Sequence, residues 1–190
     1  MKKKYSKVTI REEKQQKKVE ITFIAKPKLI KSIIKKWQSL LDLTTKVANV
    51  PSGLIMKLNE DTIEVFSNSG TKDNPYKKGE KIKLIYGIYC ETVIGTQNKL
   101  LVPDATKSVV WKDNNLGIDH NMISYLGFPI NWPDGEVFGT VCLLDKKENS
   151  YDKIIKDLLF NLKQHIETDL KLHVSQQNLT KANKQLSKKK

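Results

Sequence analysis

The chain has 190 residues, a length that fits one domain with helical extensions. Hydrophobic residues make up 38% and charged residues 29%, which is ordinary for a globular protein, and no apolar run approaches the roughly 18 residues needed to cross a bilayer. Because no apolar stretch follows the basic residues 1–4, we predict a cytoplasmic protein without a signal peptide or membrane insertion.

The formal net charge of +13 lies at the two ends of the chain. Residues 1–36 carry +10 and residues 176–190 carry +5, which leaves −2 for residues 37–175. Arg11 is the only arginine among 34 basic residues, whereas specific DNA-binding proteins read guanine and phosphate with the bidentate guanidinium. We therefore predict no specific nucleic-acid partner.

The first half of the chain predicts one helix and one hairpin. Residues 1–27 are polar, with a single β-like patch, and are interpreted as a linker or extension. Apolar residues at steps of three and four predict an amphipathic helix over residues 30–48. Residues 53–58 and 62–67 alternate as strands around a turn-rich triplet, which predicts a β-hairpin.

The second half predicts a longer hairpin and a long final helix. Its elements in order are a short helix at 89–95, a strand at 100–102, an irregular segment at 105–121, strands at 124–130 and 136–144, and a helix from Asp152 nearly to the end. Pro133-Asp134-Gly135 supplies the turn between the last two strands. An antiparallel sheet packed by helices from both chain ends, an α+β fold, satisfies this order.

Five motifs follow one another along the chain: YCETV at 89–93, LVPDA at 101–105, SYLGFPI at 124–130, WPDGEVFGT at 132–140 and CLLD at 142–145. This ordered set resembles the GAF domains that precede histidine-kinase or diguanylate-cyclase modules, over roughly residues 37–172. The resemblance implies a GAF/PAS-like sheet of five to six antiparallel strands. It also implies a ligand cavity on one face and dimer-forming helices on the other.

This resemblance sets our expectations for domains and function. We expect a basic N-terminal extension or linker at 1–27, a GAF-like domain at 28–172 and a helical extension with coiled-coil spacing at 173–190. The expected function is to sense a small molecule, or to relay a signal, and so to regulate an output domain or partner protein. The chain is expected not to be an enzyme. Two alternatives stay open, namely a free-methionine sulfoxide reductase that uses Cys90 and a ligand-free dimerisation module.

By resemblance and position, the candidate ligand-binding residues are Cys90, Glu91, Asp104, Trp111, His120 and Tyr125. Core packing is the alternative role for the cysteine and the two aromatic residues, and capping is the alternative for the two acids. The reductase pattern requires cysteines in the loop before the final strands, and residues 105–123 contain none. A bilin-type Cys-His pair and a metal-ligand spacing are also absent from the sequence, so we predict no metal and identify no cofactor or catalytic residue.

The final helix carries a row of apolar residues at a spacing of seven. The row consists of Leu158, Leu172, Leu179 and Leu186 and is interrupted by His165. A sustained seven-residue row favours a left-handed coiled coil. We therefore predict a parallel homodimer through this helix.

Overall fold

The structure is a computed structural model that describes residues 4–12, 15–23, 26–113 and 120–188. The strands and helices are β1 (Lys4–Glu12), β2 (Gln15–Phe23), α1 (Lys31–Ala48), β3 (Ser52–Leu58), β4 (Thr62–Asn68), β5 (Lys81–Lys83), α2 (Tyr89–Thr96), β6 (Leu100–Val102), β7 (Ser124–Asn131), β8 (Val137–Asp145) and α3 (Lys153–Ser187). A 3-10 turn, Ala105–Lys107, follows β6.

The central sheet has six antiparallel strands in the order β5-β4-β3-β8-β7-β6. Both predicted hairpins, β3–β4 and β7–β8, are present, as are the three predicted helices. The α+β prediction with five to six strands is therefore confirmed. Nearly every residue of β7 and every residue of β8 is buried, because other elements cover both faces of the sheet. That burial explains why the two strands read as continuous apolar runs.

Helices α1 and α3 pack on one face of the sheet, which we call the helix face. Trp37 and Leu41 of α1 and Leu159 and Ile166 of α3 are fully buried there. The carboxylate of Asp169 joins the two helices, since it accepts hydrogen bonds from Trp37 Nε1 at 2.9 Å and Lys36 Nζ at 2.6 Å. The pairing of α1 with α3 is thus fixed by a polar contact as well as by apolar packing.

The opposite face, which we call the cavity face, is covered by α2 and by a hairpin of β1 and β2. Val8 and Ile10 of β1 are buried in the same apolar cluster as Val93 of α2. Ile10 approaches Gly95 so closely that a β-carbon there would collide with its side chain. Because the exposed lysines of the hairpin face outward, its sequence reads as polar, and no hairpin was predicted in this segment.

Helix α3 extends well past the sheet. Its buried positions end at His173, whose Nε2 lies 3.1 Å from the Lys28 carbonyl oxygen. Beyond that point, Leu179 and Leu186 are 65% and 66% exposed, and Leu172 is 55% exposed. Among the described residues, none of the helices combines the length and apolar character that a membrane span requires.

Candidate functional site

A small cavity lies between α2 and the cavity face of the sheet. We call five of its lining residues the interior cluster: Tyr76, Tyr89, Cys90, Tyr125 and Cys142. The cavity volume is about 40 Å³, which is room for a few water molecules and far below the roughly 300 Å³ of a typical ligand pocket. The face that the resemblance assigns to a ligand is therefore nearly filled by side chains.

Aromatic rings provide most of that filling. Tyr89 stacks on Tyr125 with ring centroids 4.7 Å apart and planes 26° apart. Tyr89 also meets Trp111, again with ring centroids 4.7 Å apart but with the planes tilted by 49°. All three rings are buried, so a ligand of ordinary size would enter only by displacing one of them.

The two cysteines of the chain meet at this cavity. Cys90 is the second residue of α2, and its Sγ lies 3.5 Å from the hydroxyl oxygen of Tyr125. Cys142 lies on β8, is fully buried and lines the same cavity as Cys90. Hydrogen bonding from Cys142 lowers the pKa of Cys90 despite its burial, whereas burial raises the pKa of Cys142. Cys90 is therefore the more acidic thiol of the pair.

Glu91 follows Cys90 but points away from the cavity and bonds to the backbone. Its Oε2 accepts the N–H of Thr9 at 2.9 Å, and its Oε1 accepts those of Tyr86 and Ile88 at 3.2 and 3.3 Å. The carboxylate thus caps α2 and attaches β1 to it. Burial raises the pKa of Glu91 even though these donors favour the charged form.

Asp104 and His120 do not line the cavity. Asp104 caps the 3-10 turn by accepting the N–H and hydroxyl of Thr106 at 2.9 and 2.6 Å, and the hydroxyl bond lowers its pKa. His120 packs edge-on against Tyr76 with ring centroids 5.0 Å apart. Through that ring it borders the cavity without lining it.

Of the six sequence candidates, the structure brings Cys90, Trp111 and Tyr125 into one apolar cluster and leaves Glu91, Asp104 and His120 outside it. Sequence reasoning missed Tyr76, Tyr89 and Cys142 as cavity residues. Tyr89 and Cys142 stand in the YCETV and CLLD motifs, and their place in those motifs was the available signal. Tyr76 sits in a polar loop and gave no signal.

Sequence reasoning also missed a role for Arg11, the only arginine. Its guanidinium donates to the carbonyl oxygens of Gly87 at 2.8 Å and Tyr86 at 3.0 Å, just before α2. The same group lies over the ring of Trp111, 5.9 Å from its centroid. Arg11 therefore holds the hairpin, the start of α2 and the segment after β6 together around the interior cluster.

A larger cleft, of about 480 Å³, lies away from the interior cluster. It is bordered by the β3–β4 turn, the segment before α1, and aromatic residues that include Phe66, Trp132 and Phe138. Lys26 borders it but forms ion pairs with Asp134 and Glu136. None of the six sequence candidates lines this cleft.

In the part of the chain that the structure describes, no group of three His, Cys, Asp or Glu side chains is arranged to hold a metal ion. The interior cluster contributes two thiols and three phenols, most of them far from water. This set of groups suits thiol chemistry or the packing of an apolar ligand better than acid–base catalysis.

Comparison with known proteins gives matches among solved structures alone. No family model matches the chain, and no curated protein matches it. The GAF domain of Acinetobacter phosphoenolpyruvate-protein phosphotransferase aligns with a TM-score of 0.58 at 16% identity, over 73% of this chain and 81% of that one. The PixJ GAF domain of Thermosynechococcus elongatus, in its blue-light absorbing form, aligns with a TM-score of 0.61 at 13% identity, over 81% and 96%.

A third similar structure is an enzyme. The free methionine-R-sulfoxide reductase of Neisseria meningitidis, in complex with its substrate, aligns with a TM-score of 0.58 at 11% identity, over 73% of this chain and 77% of that one. We predicted that the chain is not an enzyme. That exclusion is wrong, because an enzyme is among the proteins with a similar fold. The absence of cysteines from residues 105–123 departs from the cysteine pattern of this reductase family, but it does not exclude enzymes in general.

These three likenesses concern architecture, since identities of 11 to 16% transfer no ligand or activity. They agree with the observed six-stranded antiparallel sheet and its flanking helices. They also agree with the five motifs found in order along the sequence. The chain has the GAF fold.

Proposed function

We propose that the chain is a signal-relaying GAF-type domain that acts as a homodimer, with the interior cluster as its input site and α3 as its output element. The observation that carries this proposal is the continuation of α3 beyond the sheet with exposed leucines at a spacing of seven. In this proposal residues 28–172 form the GAF domain, whose cavity face the β1–β2 hairpin covers, and residues 173–190 form the output extension. An attached output domain or a partner protein, of the histidine-kinase or cyclase type, would receive the signal.

The length of α3 supports a second copy as its partner. The helix has 35 residues and spans about 50 Å, yet nothing after Gln177 is even half-buried. An isolated polar helical segment of this length is marginal in water. Leu172, Leu179 and Leu186, which we call the leucine row, would each contribute about 1.5–3 kcal/mol when fully buried. In a parallel dimer, each leucine of the row would lie beside the same leucine of the second copy.

Strands β7 and β8 supply the physical connection between input and output. On β7, Tyr125 belongs to the cavity-face cluster and Leu126 to the helix-face cluster. On β8, Cys142 and Leu143 alternate in the same way. Because packed interiors transmit strain, a change that displaces Tyr125 or Cys142 also shifts the surface on which α3 rests.

Sedimentation equilibrium tests the dimer. We expect the intact chain to associate and the Leu172→Asp/Leu179→Asp variant to be monomeric, because two charges per helix would be buried in the seam. The matched control is Asn178→Asp/Gln185→Asp, which adds the same charge at the same spacing on exposed positions turned away from the row. We expect the control to associate like the intact chain.

Two results would contradict this proposal. The first is an intact chain that stays monomeric at high concentration. The second is a leucine variant that associates as well as the control. Circular dichroism on all three proteins checks that each is folded. Mass spectrometry of small molecules that copurify with the chain separates a ligand sensor from a ligand-free dimerisation module.

A second candidate function is thiol-dependent reduction of free methionine sulfoxide. The observation that favours it is that Cys142 lines the same cavity as Cys90, which supplies the second thiol that residues 105–123 lack. An assay of methionine sulfoxide reduction with a thiol reductant tests it. Activity that disappears in Cys90→Ser would support this function, and an intact chain without activity would exclude it.

A further inference from the structure

We infer that Cys90 and Cys142 form a reactive dithiol, which hydrogen peroxide oxidises to an intramolecular disulfide. The pair would serve as the input of the proposed relay, and in that role the inference rests on the proposed function. The chemistry of the pair stands on its own geometry. Both thiols are free in this structure and both line the same cavity.

The first observation is that the two elements bring the sulfur atoms together from distant parts of the sequence. Cys90 lies in the first turn of α2, and Cys142 lies on β8 directly beneath that turn. Cys142 is held in place by pairing with Leu54 on one side and Gly127 on the other. Both cysteines line the same cavity of about 40 Å³, and Tyr125 lines it beside them.

The second observation is the set of donors around Cys90. The Tyr125 hydroxyl is 3.5 Å from its sulfur. The Thr140 hydroxyl is buried on the same strand face as Cys142, and in the described part of the chain it has no well-aligned hydrogen-bond partner. The pKa of Cys90 is lowered by Cys142 foremost, and then by Thr140 and Tyr125, against the effect of burial. These groups stabilise a thiolate on Cys90, which is the nucleophilic form of cysteine.

The third observation is an order of access. Cys90 is 6% exposed as a residue and Cys142 is fully buried, so position 90 is the nearer of the two to solvent. The cavity of about 40 Å³ admits a molecule of water size, such as hydrogen peroxide. A larger disulfide oxidant such as glutathione disulfide does not fit that space.

The reaction balances in two steps. The Cys90 thiolate attacks one peroxide oxygen and the O–O bond breaks, which gives a sulfenic acid on Cys90 and releases hydroxide. That hydroxide takes the proton of the Cys142 thiol and becomes the first water, and the Cys142 sulfur attacks the Cys90 sulfur. The S–S bond forms, the sulfenic S–O bond breaks, and the leaving hydroxide takes up the proton that Cys90 had lost and becomes the second water. Overall two thiols lose two electrons and two protons, and one peroxide becomes two waters.

The test uses the folded full-length chain and dilute hydrogen peroxide. We expect the thiol titre, measured after quenching and unfolding, to fall from two per chain to none. Peptide mapping should show a Cys90–Cys142 cross-link, and dithiothreitol should restore both thiols. In the Cys142→Ser variant, oxidation should stop at a sulfenic acid on Cys90, which dimedone traps. In the Cys90→Ser variant, the Cys142 thiol should stay reduced under the same treatment.

Two free thiols after peroxide treatment of the folded chain, with oxidation only after unfolding, would overturn the inference. Cross-links between chains in place of the internal one would overturn it equally. The input role has a separate readout, namely the association constant of the reduced and the oxidised chain. Equal constants would reject that role, whereas a chain that never associates would reject the relay and leave the disulfide result standing.

Discussion

The phenol ring of Tyr125 lies over the α-carbon of Gly127, in the space that a β-carbon at position 127 would occupy. Gly127 is also paired across the sheet with Cys142. The missing side chain therefore lets Tyr125 fold along its own strand, beside Cys142, and reach Cys90 with its hydroxyl. One glycine thus positions three members of the interior cluster.

Replacement of Gly127 by alanine tests this arrangement. The new methyl group must push the Tyr125 ring out of a filled core, and overpacking of this kind costs about 1–3 kcal/mol. We expect the free energy of unfolding of Gly127→Ala, measured in urea, to fall by that amount. Gly70→Ala is the control, because only one side-chain atom comes within ordinary contact of its new methyl group.

A second variant separates a collision with Tyr125 from a backbone effect. If the ring is the obstacle, Tyr125→Leu combined with Gly127→Ala destabilises the chain by less than the sum of the single changes. Strict additivity of the two changes would show that Gly127 is required for its backbone alone.

Glu91 gives a prediction for pH dependence. Burial raises its pKa in the folded chain. The folded chain then holds the Glu91 proton more tightly than the unfolded chain does, whose carboxyl pKa is about 4.3. Glu91 therefore contributes stability that is fully present below that value and is lost as the pH rises through the higher folded pKa.

Comparison with Glu91→Gln, which does not titrate, isolates this contribution. We expect the difference in unfolding free energy, wild type minus variant, to be largest near pH 4 and to shrink toward pH 7. Urea unfolding at both pH values measures it. Glu20→Gln, on the exposed side of the hairpin, should show little change at either pH. A Glu91 difference that grows with pH would contradict the prediction.

Asp169 gives a prediction for the pairing of α1 with α3. Asp169→Ala leaves the buried indole N–H of Trp37 without its acceptor, which costs about 1–3 kcal/mol. The control is Asp157→Ala, which removes only an exposed ion pair with Lys153 and should cost clearly less than Asp169→Ala, because exposed ion pairs contribute little. Urea unfolding followed by circular dichroism compares them, and equal costs would show that Asp169 does not join the helices.

The sequence predicted the central sheet because its strong signals are local. Strands β7 and β8 are apolar throughout and are separated by Pro133-Asp134-Gly135, so composition and turn chemistry agree. The N-terminal hairpin lacks both signals. Its two strands present few apolar residues each, and the sequence between them is Glu13-Lys14, without the Asn or Gly that favours a tight hairpin turn.

The candidate site was predicted in part for a similar reason. Cys90 and Tyr125 stand in recognisable motifs, whereas the meeting of Cys90 with Cys142 depends on strand register and on how α2 crosses the sheet. Neither the register nor the crossing of α2 can be predicted from a short stretch of sequence. The nearly filled cavity is likewise a property of how Tyr89, Trp111 and Tyr125 stack in three dimensions.

Because the N-terminal hairpin covers the cavity face and α3 packs on the helix face, segments attached at the two ends of the domain contact opposite faces of the sheet. A segment fused ahead of β1 enters beside the β3–β4 turn, where Ser6 donates to the carbonyl oxygens of Asn59 and Glu60. It would pull on the cover of the cavity through Thr9 and Glu91. A segment fused after α3 is attached to the opposite layer. In the proposed relay, an upstream segment would thus act on the cover of the cavity, whereas a downstream segment would respond on the helix face.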